Sequence, residues 1–158
     1  MQIPAIKVTQ NQRELFLVSL KVKDIIKLSR VDLWGAEKVD NEQGYQRAPE
    51  SRHIFEIANY VTRQDALLPT TILLNSRKPL GFMESSDASP VGTVNLKPAD
   101  ILWTVDGQHR IAGIRHAVEE GGRSELGEMS LAVVISSGLD RNEEMNQFFT
   151  INETQKGV

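Results

Sequence analysis

The stretch that decides the fold runs Ile101-Leu102-Trp103-Thr104-Val105-Asp106-Gly107-Gln108-His109-Arg110-Ile111-Ala112-Gly113-Ile114. Ile101, Trp103 and Val105 alternate with Leu102 and Thr104, the period of a mostly buried strand. Beyond the glycine, Ile111, Ile114 and Val118 recur at helical spacing, and Gly121-Gly122 supplies a stop. The pattern predicts an interior strand over 101–105 running directly into a helix that begins at 106–108. Asp106 is read as the helix N-cap, its carboxylate accepting from amides that lack helical partners. Gly107 removes the Cβ where a bound group must approach the backbone. The free amides and positive dipole of such a helix start form an anion site. Gln108, His109 and Arg110 add an amide, a titratable imidazole and a fixed cation, which together outline a phosphate-handling turn.

Asp-Gly at a strand-to-helix turn also serves capping alone, with His109 and Arg110 as solvated first-turn side chains. Arg115 and His116 on the same helix weigh against that bland reading. His109, Gly113 and His116 share one helical face. So much basic character on one helix, in a chain of net charge −3, points to a site. The site could hold a nucleoside triphosphate or a backbone phosphate, with Arg110 pairing two oxygens. If hydrolysis occurs, the candidate catalytic residues are Asp106, to hold Mg²⁺ or orient water, and His109, to transfer a proton. Asp106 cannot fully cap the helix and bind metal well at once. No Gly-x-x-x-x-Gly-Lys-Ser/Thr loop is present, so an ordinary P-loop NTPase is excluded. His109 and His116 sit about two turns apart, roughly 10 Å of rise, too far for one ion to bridge unaided. No metal site is assigned.

Residues 105–114, Val-Asp-Gly-Gln-His-Arg-Ile-Ala-Gly-Ile, resemble the signature of the DGQHR-domain family, which includes the DndB-like proteins of DNA phosphorothioation systems. That family is related more distantly to the ParB/sulfiredoxin-like fold and to restriction-associated proteins with an Asp-Gly-Gln-Gln-Arg variant. Gly44-Tyr45-Gln46-Arg47 resembles the family's upstream Tyr-Gln-Arg element. Phe149-Thr150-Ile151-Asn152-Glu153-Thr154-Gln155-Lys156 resembles its downstream Phe-x-x-Asn-x-x-Gln-Lys element. The three occur in the family's order and span most of the chain. The resemblance implies a ParB/sulfiredoxin-like fold and binding of nucleotide or nucleic-acid phosphate, with ATP or another NTP and Mg²⁺ as the implied cofactors and ATP hydrolysis as the implied activity. The phosphate-binding set it implies is Gly107, Gln108, Arg110, Gln46, Arg47, Asn152 and Lys156, with Arg47 and Arg110 entering one cleft. The DndB-like members are also linked to transcriptional control of phosphorothioation genes. A non-catalytic DNA-binding regulator is therefore the alternative, and a decayed domain serving protein assembly is a third reading. Read without the resemblance, Tyr45, Gln46 and Arg47 are turn residues, and Asn152, Gln155 and Lys156 are a polar helix end.

A length of 158 residues suits one domain, residues 1–158, with a core that needs no staples. Family members usually continue beyond the third element, so the resemblance leaves a fragment and a reduced version as the two readings of the chain's end. The absence of cysteine excludes disulfides and thiolate metal sites and fits a cytoplasmic protein. No apolar run approaches membrane-spanning length, so no membrane partner is expected. A pI of about 5.6 argues against strong nonspecific DNA wrapping but leaves room for a local basic cleft. The expected partners are nucleotide, DNA, other DNA-modification proteins, or a second copy of the chain.

Along the chain, Leu15 to Val22 reads as the first strand and Lys23 to Leu33 as a short amphipathic helix. Gly35 to Gly44 is a polar surface connection. Ile54, Ile57, Ala58 and Val61 mark the clearest helix, with Arg52, Glu56, Asn59 and Arg63 opposite. Leu67 to Asn75 is a strand with Pro69 near its start. Residues 76–98 form a long loop or loose hairpin, with Val91 to Leu96 as a short strand. Leu131 to Ile135 is a buried strand, and Asp140 with Glu143 predicts a reciprocal cap for a helix over 141–149. Trp34 and Trp103 read as core or loop anchors rather than base-stacking platforms. The whole predicts an α/β (α+β) fold, a mixed sheet with flanking helices whose ligand site lies where Val105 gives way to Asp106-Gly107.

Overall fold

The computed structural model describes residues 1–33 and 44–156, the last two for their backbone alone. Trp34 and the connection expected at 35–43 lie outside the described residues. The described strands are β1 Gln2–Gln10, β2 Arg13–Lys21, β3 Ser29–Arg30, β4 Ile72–Ser76, β5 Gly81–Glu84, β6 Val91–Asn95, β7 Leu102–Asp106 and β8 Ser130–Ser137. They form one sheet in the order β3-β7-β4-β8-β2-β1-β6-β5. The pairs β3–β7 and β4–β8 are parallel and the others antiparallel, so the sheet is mixed. The helices are α1 Val22–Leu28, α2 Ser51–Val61, α3 Gln108–Glu119 and α4 Arg141–Lys156. The expected fold class holds, and no helix among the described residues is long and apolar enough to cross a membrane.

The first strand in the chain is one that the pattern hid. Pro4, Lys7, Thr9 and Gln10 blur the alternation of β1, whose Ile3 and Ala5 are buried. It ends in a turn at which Asn11 and Gln12 take φ of 45° and 65°. Two consecutive positive φ values match the twist of a tight hairpin, and β1 pairs with β2 from Gln10↔Arg13 to Ala5↔Val18. The helix expected from Lys23 to Leu33 stops at Leu28. Ser29 and Arg30 instead pair in parallel with Leu102 and Trp103, so backbone hydrogen bonding to β7 overrides the helical spacing. Strand β7 is mostly buried, as expected, Val105 included. Leu102 and Thr104 have no exposed surface, Ile101 just before the strand is 45% exposed, and Trp103 lies against Arg77. The strand expected from Leu67 begins only at Ile72. The loose hairpin is real, and its arms are β5 and β6.

Asp140 and Glu143 cap α4 reciprocally: the Glu143 amide donates to Asp140 Oδ1 and the Asp140 amide to Glu143 Oε2, both at 2.9 Å. The helix continues to Lys156, well past 149, and absorbs the third motif in its last turns. What fixes it against the sheet is a buried polar cluster. Glu144 is fully buried and accepts from the Tyr45 hydroxyl at 2.6 Å, from Asn75 Nδ2 at 2.7 Å, and from Arg77 at 2.8 and 3.1 Å. Arg77 also reaches Asp32 at 2.7 Å, and Arg141 bonds the same carboxylate oxygen at 2.8 Å. The Asp32 carbonyl in turn accepts from the Tyr45 and Gln46 amides at 3.1 and 3.0 Å. The cluster thus ties residues 45–46, β4 and α4 together.

Gly113 sets the approach of α2 to α3. A Cβ there would lie 2.5 Å from Ile57 Cγ2 and 2.6 Å from Ile57 Cβ, in the stem of a β-branched side chain that cannot swing away. Gly113→Ala should therefore destabilise the fold by about 1 kcal/mol or more, overpacking outweighing the gain of about 1 kcal/mol that the same change gives at an open helical position. A urea midpoint equal to or above the wild type would show that the helices can part freely.

Burial pushes the Asp32 carboxyl up, but the hydrogen bonds and charges of Arg141 and Arg77 outweigh it and hold the group below the usual carboxylate range. A carboxyl with a depressed native pKa contributes stability above its unfolded pKa of about 3.9 and loses it as pH falls through the lower native value. Asp32→Asn should lower stability at neutral pH. Between about pH 5 and pH 2 it should also flatten the decline of the urea midpoint relative to wild type. Parallel declines would remove Asp32 from the acid response.

Candidate functional site

β7 ends at Asp106 and α3 begins at Gln108, so the expected strand-to-helix turn is present. Its cap differs from the expected one. Gly107, not Asp106, is the N-cap, with φ of 105° and no side-chain cap. The Asp106 carboxylate turns instead to Arg110 Nη2, 3.5 Å away. The left-handed backbone bends the chain so sharply that the carboxylate no longer faces the first amides. Gly107 has little room for anything larger: a Cβ would sit 3.1 Å from Ile72 and 3.2 Å from Arg110. The first helical hydrogen bond runs from the Ile111 amide to the Gly107 carbonyl, at 3.0 Å. The amides of Gln108, His109 and Arg110 therefore have no intrahelical acceptor.

A cavity of about 190 Å³ opens at this turn. Asp106 to Arg110 line it on one side, Gln46 on another, and Phe148 with Asn152 of α4 on a third. The three separated motif segments are thus brought together. Gln46 reaches the cavity because it is bridged in parallel to Leu33, and in such an extended stretch successive side chains alternate. Tyr45 turns to Glu144, and Gln46 Nε2 donates to the Thr104 carbonyl at 2.5 Å. Burial, together with Glu144, pushes the Tyr45 hydroxyl well above its ordinary range, so it remains a donor to that carboxylate. Asn152 Nδ2 donates to the Phe148 carbonyl one turn earlier, at 2.7 Å, which leaves its oxygen for the cavity.

Arg47 is exposed and does not line this cavity, so the two arginines expected in one cleft do not share it. The Lys156 side chain lies outside the described residues. Arg110 lines the cavity but is held from behind. Nη1 donates to the Thr70 carbonyl and hydroxyl at 2.9 and 2.7 Å, and Nη2 donates to the Thr71 carbonyl at 3.1 Å and to Asp106. Its terminal nitrogens brace the segment before β4, and the expected bidentate grip on an anion would have to displace that brace. The histidine face of α3 packs on α2 rather than forming a second site. His109 lies 5.4 Å from the His53 ring, and His116 meets the edge of Phe55 at 5.0 Å. Arg115 turns elsewhere, to the Ile26 carbonyl at 3.3 Å. Among the described residues no group of three or more His, Asp or Glu side chains is placed to hold a metal ion. Among the described residues Asp106 is the one carboxylate lining the cavity, so a Mg²⁺ there would need the phosphates of a nucleotide as its further ligands, a common way for that ion to be held.

Sequence reasoning found the turn and missed its supports. Asn75 was the available signal, a polar side chain inside an apolar strand, and Glu144 was the other, an acid beside a capping pair that needed no third carboxylate. Trp103 is an anchor as expected, with the Arg77 guanidinium carbon 3.9 Å from the ring centroid.

No curated protein and no solved structure matches the chain. A family model described as DndB, DNA-sulfur modification-associated, matches residues 3–157. That span contains all three motif segments and every residue lining the cavity, and it makes this chain a member of the DndB family of DNA-sulfur modification-associated proteins.

Proposed function

We propose that this chain is the phosphate-binding domain of a DNA-modification or defence protein, taking a nucleotide or DNA phosphate at the Asp106–Arg110 turn. The observation that carries the reading is the start of α3, where the amides of Gln108, His109 and Arg110 have no intrahelical acceptor and the residues that bear them line a cavity shared by all three motif segments. In its stronger form the site hydrolyses ATP in connection with DNA phosphorothioation. Asp106 would hold Mg²⁺ or orient water, and His109 would carry the proton. Arg47 then acts outside the cavity, on the part of a ligand that extends beyond it, and Lys156 belongs to the same proposed binding set. The ParB/sulfiredoxin-like relationship belongs to this same reading.

The alternative is a non-catalytic DNA-binding regulator of DNA-modification genes. One observation favours it: Arg110 and Asp106 are paired with each other, and Arg110 is braced by Thr70 and Thr71. A site so neutralised positions a phosphate better than it activates one. Asp106→Asn separates the two readings. Asparagine keeps the acceptor for Arg110 and removes a negative charge, so in a plain anion site affinity should stay equal or rise. In a hydrolytic site phosphate release should collapse while nucleotide still binds. Isothermal titration and a phosphate-release assay on the same preparations measure both. Unchanged release removes Asp106 from catalysis, and no release in the wild type together with tight duplex binding selects the regulator. Arg110→Ala should weaken phosphate binding by roughly 1.5–3 kcal/mol in either case, the loss of a charge-assisted contact and of the brace behind the turn.

A further inference from the structure

Gln46 is 1% exposed, and its amide is only half satisfied: Nε2 donates to the Thr104 carbonyl, while Oε1 has no hydrogen-bond partner. Exchanging the two ends of the amide does not help, because it would set the glutamine oxygen against the Thr104 carbonyl oxygen. Gln108 Oε1 is buried and unpartnered in the same way. Both residues line the cavity at the start of α3. A buried acceptor without a donor costs about 1–3 kcal/mol, and two beside one cavity are better explained by what the cavity receives than by chance. The site therefore asks for two things at once: an anion for the helix amides and hydrogen-bond donors for the glutamines.

An internal phosphodiester of duplex DNA meets only the first demand, since its phosphate and ester oxygens carry no proton and its sugar has no free hydroxyl. A nucleotide meets both, because its sugar hydroxyls are donors held close to its phosphate. We propose that the cavity takes a nucleotide with free sugar hydroxyls. Its phosphate lies on the α3 amides, its hydroxyls donate to Gln46 Oε1 and Gln108 Oε1, and Phe148 forms the apolar wall beside the sugar. This rests on the reading of the turn as a phosphate site and names the class of ligand for it.

The test is a calorimetric titration of the whole chain with adenosine 5′-monophosphate, its 2′,3′-dideoxy analogue, inorganic pyrophosphate and a short DNA duplex. The first two share base and phosphate and differ only in the hydroxyls. The expected result is binding of the hydroxylated nucleotide at least tenfold more tightly than the dideoxy analogue, since a site built for a donor rejects the ligand that lacks it. Gln108→Leu should bring that ratio towards one, whatever it does to the affinity for either nucleotide alone. Equal affinity of wild type for the two nucleotides overturns the proposal and assigns water to the orphaned oxygens. Duplex binding that the nucleotide cannot displace overturns it as well. In either of those cases pyrophosphate binding shows that the phosphate reading still stands. If pyrophosphate, nucleotide and duplex all fail to bind, the phosphate reading itself has failed and the proposal falls with it.

Discussion

Glu144 is a carboxylate with no exposed surface, and the geometry of the site depends on it. Its two oxygens take four hydrogen bonds, from Tyr45, Asn75 and twice from Arg77. Burying an ion pair rarely stabilises a fold by itself, because desolvation of the charges offsets most of their attraction. What such a cluster supplies is position. The apolar contacts of a helix on a sheet are non-directional, and α4 could slide along β7 and β4 by a turn of about 5.4 Å at modest cost. The Glu144 cluster forbids that slide, since any shift strands a buried carboxylate. Phe148 and Asn152 lie one and two turns further along the same helix. Fixing Glu144 against Tyr45 therefore fixes both of them against Gln46.

The same logic separates what could be read from the sequence from what could not. The turn from β7 to α3 was legible because it rests on local chemistry, an alternating run, a glycine and a helical run within 18 residues of chain. The reciprocal cap of α4 was legible for the same reason. The identity of the N-cap was not, because whether Asp106 faces the helix depends on the φ of the following glycine, which composition does not set. Strand β1 was hidden because its polar residues are shared with a hairpin whose turn, Asn11-Gln12, lacks the glycine that usually announces it. The Asp32–Arg77–Glu144 cluster was out of reach altogether. Its members lie 45 and 67 residues apart, and only the sheet order brings them together.

Tertiary pairing also decided which cations serve the cavity. From sequence, every arginine near a phosphate motif is a candidate for the phosphate. In the fold, Arg77 answers to Glu144 and Asp32, Arg115 to a carbonyl of α1, and Arg110 to Thr70, Thr71 and Asp106. Each guanidinium closes a gap between elements that the backbone leaves open. The basic residues of α3 were read as function, and its two arginines, Arg110 and Arg115, turn out to be joints.

That leaves the backbone as the main source of attraction for the anion proposed at this turn, and it reconciles the proposed phosphate site with a net charge of −3. Long-range steering of a polyanion requires an uncompensated basic surface, and its effect fades beyond a Debye length of about 8 Å at physiological salt. Amides at a helix start act over the length of a hydrogen bond, where screening hardly matters, and they need no surface charge. Such a site holds a group already delivered to it and does little to gather one from solution. An acidic domain of this kind is suited to a small ligand that arrives by diffusion, or to a strand presented by another protein, and poorly suited to capturing duplex DNA by charge alone. The orphaned oxygens of Gln46 and Gln108 sharpen the same distinction, because they add a demand for donors that no field of positive charge could meet.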